Sequence, residues 1–70
     1  MSGVSALQSC ISRANAYPEE KLFDAKMSFL SDIRKHQSLK HISDNPLTFK
    51  IINSARNMSE LIEAMKGFNV

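Results

Sequence analysis

Hydrophobic residues recur along this chain at spacings of three and four, and no stretch alternates apolar and polar residues as a strand would. Helical spacing begins with four apolar residues: Val4, Leu7, Ile11 and Ala14. Their pattern predicts a first helix near residues 3–15, with Ser2 or Ser5 as its N-cap. This helix must end before Pro18, because the residue before a proline disfavours the helical conformation.

A second helix is predicted near residues 18–37. Pro18 suits the first turn of a helix, where a backbone N–H is not needed. An apolar stripe follows, formed by Leu22, Phe29 and Ile33. Leu39 and Ile42 project roughly 80–180° away from this stripe at 100° per residue. We therefore expect the helix to break near residues 36–38.

A third helical segment is framed by a start signal and a stop signal. The sequence Ser-Asp-Asn-Pro at residues 43–46 offers Asp44 or Asn45 as an N-cap, followed by a proline suited to the first turn. Gly67 is expected to end the segment as a left-handed C-cap.

Two interpretations of this third segment stay open. One gives two helices, at residues 46–56 and 58–66, with Asn57 as N-cap and Glu60 as its capping-box partner. The other gives a single helix over residues 46–66. Steps of four and three continue through the segment at Leu47, Ile51, Ser54, Met58, Leu61, Met65 and Phe68. A broken helix need not keep this phase, so we favour the continuous form.

These segments predict an all-α fold in one domain, residues 1–70, with three or four helices depending on a break at residue 57. The second and third helices form an antiparallel hairpin, and the first packs across them. A chain of 70 residues builds only a marginal core, and a single cysteine excludes an internal disulfide. Association with another chain is the remaining way to stabilise it, so we expect an oligomer.

Catalytic and metal-binding signatures are absent from the sequence. It has no glycine-rich phosphate loop and no nucleophile-elbow motif, so we expect neither an enzyme nor a cofactor. His36 and His41 are five residues apart and have no third ligand nearby, which argues against a metal site. Cys10 lies beside the apolar face of the first helix and is interpreted as a buried thiol.

The expected compartment is the cytoplasm. A lone cysteine fits a reducing environment, and the first residues lack the pattern of a secretory signal. No apolar run approaches the roughly 20 residues needed to cross a bilayer, so no membrane contact is expected.

An uneven charge distribution and a wide apolar stripe suggest a function. Residues 33–56 contain five cations against one acid, a balance of +4, although the whole chain carries only +2. The stripe near the C-terminus is predicted to bind protein through Met58, Leu61, Ile62, Met65 and Phe68. We therefore expect a non-catalytic regulator, adaptor or inhibitor that acts as a homodimer, with Arg34, Lys35 and Lys40 steering an acidic partner.

The alternative function is a small nucleic-acid-binding regulator. It would contact phosphates through Arg34, Lys35, Lys40, Lys50 and Arg56. This interpretation requires the five cations to form one continuous face. A helix-turn-helix built from residues 46–66 would also present Glu60 and Glu63 to DNA, which phosphates would repel.

Overall fold

The computed structural model describes residues 3–68, and within this range the chain is all-helical, as predicted. Five α-helices and two short 3-10 helices follow one another. The α-helices are α1 (Gly3–Asn15), α2 (Leu22–Arg34), α3 (Lys40–Ser43), α4 (Pro46–Asn53) and α5 (Met58–Lys66). The 3-10 helices are Glu19–Lys21 and Gln37–Leu39.

Helix α1 has the predicted bounds and packs mainly against α2. Its buried residues are Leu7, Cys10 and Ala14, which recur at helical spacing. The backbone N–H of Tyr17 donates to the carbonyl of Ala14, and the chain then leaves the helix before Pro18. Of its two predicted caps, Ser2 lies outside the described residues, and Ser5 lies inside the helix.

Helix α2 is shorter than the predicted span of 18–37. A 3-10 helix precedes it, and Pro18 occupies the N-cap position of that 3-10 helix with extended backbone angles. At the other end, His36 is also extended. This bend turns the following residues inward, so that Leu39 and Ile42 are buried in the core. The predicted break near residues 36–38 is thereby confirmed. The predicted helix began too early, at residue 18, and ended too late, at residue 37.

The connection between α2 and α4 is itself helical and is held in place by a threonine. Thr48 is buried, and its hydroxyl donates to the carbonyl of Ile42 at 2.7 Å. Asn45 caps α4 by accepting a hydrogen bond from the N–H of Leu47, with Pro46 in the first turn as predicted.

The third predicted segment consists of two helices, so the continuous helix over residues 46–66 that we favoured is wrong. Asn57 caps α5 by accepting a hydrogen bond from the N–H of Glu60 at 2.8 Å, as in the other interpretation. The Glu60 carboxylate accepts from the N–H of Arg56 at 2.9 Å and not from that of Asn57, so only half of the predicted capping box forms. The first of the two helices ends at Asn53, before the predicted residue 56. Gly67 is right-handed, with φ of −78°, so the predicted left-handed cap is also wrong.

The core lies where α1, α2 and α5 meet the 3-10 helix before α3. Its largest fully buried side chains are Phe29, Ile33, Leu39, Ile52, Leu61, Met65 and Cys10. The rings of Phe29 and Phe68 stack with centroids 6.0 Å apart. In place of a hairpin of two long helices, α5 packs against α1 and α4 as a separate element. None of the helices in residues 3–68 is long and apolar enough to span a bilayer.

Candidate protein-binding surface

The predicted protein-binding stripe of α5 lies largely inside the chain's own core. Met58, Leu61 and Met65 are buried, and Ile62 and Phe68 are half-buried against the core. The reason is the break at residues 54–57, which lets α5 turn its apolar face onto α1. The prediction that the protein-binding surface lies on α5 is therefore wrong, because these side chains have little surface left to offer a partner.

A different set of apolar residues lies on the surface, and α4 holds most of it. The large hydrophobic residues exposed in the described part of the chain are Val4, Phe23, Leu47, Phe49 and Ile51. Three of these five belong to the eight residues of α4, where Leu47 is 58%, Phe49 56% and Ile51 45% exposed. We call Leu47, Phe49 and Ile51 the α4 surface.

Helical geometry explains why the α4 surface flanks the buried side of the helix. Thr48 and Ile52 point inward, four positions apart. At 100° per residue, Leu47 and Ile51 form a ridge about 100° to one side of this inward direction, and Phe49 lies about 80° to the other side. Lys50 points almost directly outward between them. The helix is therefore apolar on three sides, with one cation at its outer edge.

Phe49 borders a groove that runs between α2 and the α3–α4 segment, which we call the α2–α4 groove. The groove has a volume of about 540 Å³. Its apolar wall includes Met27 and Leu30 of α2, both half-buried. Among the described residues, Arg34 is the only charged residue that lines it. Ser31, Ser43, Asn45 and Thr48 also line the groove, so it combines an apolar wall with hydroxyl and amide groups and one cation.

The five predicted cations are all exposed, but they do not share one environment. Arg34 lines the α2–α4 groove. Its neighbour Lys35 instead lies 3.7 Å from a carboxylate oxygen of Asp32. The other three lie on separate elements: Lys40 starts α3, Lys50 is on α4, and Arg56 is in the connection before α5. Lys35 thus has the acid Asp32 as its neighbour, whereas Arg34 shares a groove with apolar side chains.

Asp32 forms a charged cluster at the contact between α1 and α2. Its buried carboxylate lies 3.0 Å from Nε of Arg13 and also pairs with Lys35. The oxygen nearest Arg13 is Oδ2, which has this ion-pair contact but no aligned hydrogen bond within the described residues. Cys10 is buried nearby, and its pKa is raised above 9.0, mainly by burial and further by the negative charge of Asp32. Cys10 is thus a core thiol, as interpreted from sequence, while the pairing of Arg13 with Asp32 required knowledge of helix packing.

Metal-ligand clustering is not found in the part of the chain that the structure describes. Residues 3–68 contain no group of three or more His, Cys, Asp or Glu side chains that could hold a metal ion. The α4 surface and its groove are the most distinctive candidates for recognition.

Comparison with protein-family models, with curated proteins and with solved structures finds no match to this chain. A function for it must therefore be inferred from the geometry of its own surface. The α4 surface was missed in the sequence because Leu47 and Ile51 belong to the same heptad series as the core residues of α5. The sequence carries no local signal that separates Leu47, Phe49 and Ile51, which are exposed, from Ile52, which is buried, because all four are large and apolar.

Proposed function

We propose that this chain is a non-catalytic regulator, adaptor or inhibitor that acts by binding another protein through the α4 surface. The observation that carries this proposal is the exposure of Leu47, Phe49 and Ile51 within one two-turn helix. Single exposed hydrophobic residues are ordinary, but in α4 Leu47 and Ile51 form a ridge on one flank and Phe49 borders the groove on the opposite flank. Such a concentration of exposed apolar side chains on one short helix is typical of protein-binding sites.

The packing of α4 gives these three side chains no structural task that requires them to be apolar. Thr48 and Ile52 already attach the helix to the core, and Asn45 caps its first turn. Polar residues at the exposed positions would leave these contacts intact. Burial against a partner would remove the apolar area from water at about 25 cal/mol per Å².

The same arrangement favours a protein over a nucleic acid as the partner. Phosphates would satisfy the cations but would leave the apolar side chains of α4 in water. Lys35 is partly neutralised by Asp32. The partner can be a second copy, as the homodimer interpretation has it, or a different protein, and the test below separates the two.

Site-specific photo-crosslinking in the cells that make the protein tests this proposal. A benzoyl-phenylalanine is placed at position 49, and a control places it at position 4. Both positions are exposed, but Val4 is on α1, and no residue of α1 lines the α2–α4 groove. We expect a discrete protein adduct from position 49 alone.

The mass of that adduct identifies the partner class. An adduct of twice the chain mass of 7.9 kDa is a homodimer, and any other mass is a different protein. Absence of an adduct from position 49, or the same adducts from both positions, would refute the proposed function.

A further inference from the structure

We infer that the α2–α4 groove accepts an amphipathic segment of a different protein, one that carries apolar side chains and at least one acidic residue. This inference rests on the proposed function and specifies its partner. It follows from the shape of the groove, from the position of Arg34 and from the charge that surrounds α4.

The groove is shaped for side chains. Met27, Leu30 and Phe49 give it an apolar wall, and its volume of about 540 Å³ is within the range of sites that bind small ligands or side chains. Methionine adapts to differently shaped apolar partners. A flat bilayer surface cannot fill a concave site, whereas the apolar side chains of a bound helix or strand can.

Arg34 is the reason to expect an acidic residue in the partner. It is exposed, lines the same groove as Phe49, and has no ion pair with a described residue. Its guanidinium can bind a carboxylate through two parallel hydrogen bonds, a geometry that arginine favours. Lys35, one residue on, does not line the groove, so among the described residues Arg34 is the one cation there.

The surrounding charge favours a different protein over a second copy. Between residues 34 and 56 there are five cations and one acid, which gives 5 − 1 = +4. The acid, Asp44, does not line the groove. In a two-fold dimer centred on α4, Lys50 would approach its own copy, and such like-charge contacts are unfavourable. An acidic partner turns the same charges into attraction.

Peptide display on the intact protein tests the chemistry of the partner. The probe is a library of amphipathic peptides with apolar residues at helical spacing and with acidic, basic or amide residues at the flanking positions. We expect enriched peptides to carry aspartate or glutamate and to lose binding when Phe49 is changed to Ser. Enrichment of basic or uncharged peptides, or no enrichment, would overturn the inference.

A charge exchange then tests the role of Arg34. We expect Arg34→Glu to weaken binding of a selected acidic peptide by at least about tenfold, and a peptide with lysine in place of its acid to bind this variant better than the native chain. Lys66→Glu is the matched control, because both cations lie in the last turn of a helix. Equal losses in the two variants would contradict the assignment.

Two further measurements distinguish an acidic protein partner from a membrane, a nucleic acid or a second copy of the chain. They also show whether this inference or the proposed function has failed. Stronger binding to phosphatidylserine vesicles or to a DNA duplex than to the selected peptides would overturn it in favour of an anionic surface. A crosslinked adduct at position 49 with the mass of a dimer would leave the proposed function intact and refute the acidic partner. Failure of the crosslink itself would refute the proposed function.

Discussion

The carboxylate of Glu19 accepts a hydrogen bond from the backbone N–H of Met58 at 3.0 Å, although the two residues are 39 positions apart. Met58 is the first residue of α5, and the first N–H groups of a helix have no partner within it. Glu19 satisfies one of these groups, and Asn57 satisfies that of Glu60. The 3-10 helix before α2 thus helps to define where α5 begins.

Removal of the Glu19 carboxylate is expected to destabilise the fold. Glu19→Ala should lower the free energy of unfolding by about 1 kcal/mol, the usual loss for an N-terminal cap. Glu19→Gln should lose less, because its side-chain carbonyl can still accept the hydrogen bond. Glu20→Ala, in the same 3-10 helix, is the control and should change stability by only a few tenths of a kcal/mol. Urea unfolding measures all three, and equal effects at the two glutamates would contradict the capping role.

Lys26 hydrogen-bonds a backbone group at the end of α4, as Glu19 does at the start of α5. It is 8% exposed, and its ammonium group donates to the carbonyl of Asn53, the last residue of α4, at 2.9 Å. We expect Lys26→Met, which keeps most of the apolar stem, to destabilise the chain by about 1 kcal/mol and to speed amide hydrogen exchange in α4. Lys21→Met, at an exposed position, is the control. Unchanged exchange in α4 would show that this bond does not hold the helix end.

These two long-range bonds explain which parts of the fold could be predicted. Asn45, one of two caps considered for α4, and Asn57, the cap of the two-helix interpretation, were within reach of the sequence because a cap acts on amides two or three residues away. For the interruption between the two helices, the unbroken heptad pattern favoured the continuous form, although the two-helix interpretation stayed open. Glu19 and Lys26, which hold the ends of that interruption, act across 39 and 27 positions, and no local pattern reveals such partners.

The same limit applies to the candidate site. Periodicity identified the C-terminal stripe as apolar but could not distinguish residues that face the core from residues that face a partner. Leu61 is fully buried, whereas Ile51 is exposed, although both belong to the same heptad series. Which side of α4 is covered depends on the turn at residues 54–57, and that turn is fixed by tertiary contacts. From the sequence we could therefore expect an exposed apolar face, but not that it would lie on α4 and not on α5.

Thr48 is expected to contribute to stability through its hydroxyl as well as through its packing. The buried hydroxyl donates to the carbonyl of Ile42 at 2.7 Å. Thr48→Val keeps the shape but leaves that carbonyl without this donor, so the free energy of unfolding should fall by about 1 kcal/mol. Ser54→Ala removes an exposed hydroxyl that donates to the backbone carbonyl of Lys50, also at 2.7 Å. This change should alter the free energy of unfolding by less than about 0.5 kcal/mol. A larger effect at Ser54 than at Thr48 would contradict this dependence on burial.

Cys10 is expected to resist thiol reagents in the folded chain. The side chain is 1% exposed, and its raised pKa reduces the fraction of reactive thiolate at neutral pH. Labelling with a disulfide reagent should therefore proceed only as fast as the protein opens, and urea should accelerate it strongly. The urea-unfolded chain provides the reference rate. Labelling of the folded chain at a rate close to this reference would show that the thiol is accessible.

The raised pKa of Cys10 also predicts how stability changes with pH. Burial, and then the charge of Asp32, hold the thiol protonated in the folded chain above its ordinary pKa of 9.0. The unfolded chain releases this proton at lower pH than the folded chain, so the contribution is present below the unfolded pKa and is lost as pH rises through the folded pKa. The native chain should therefore lose more stability than Cys10→Ala between pH 8 and about pH 10. Parallel unfolding free energies for the two proteins over this range would mean that the thiol titrates alike in both states, and would contradict its shielding by α1 and α2.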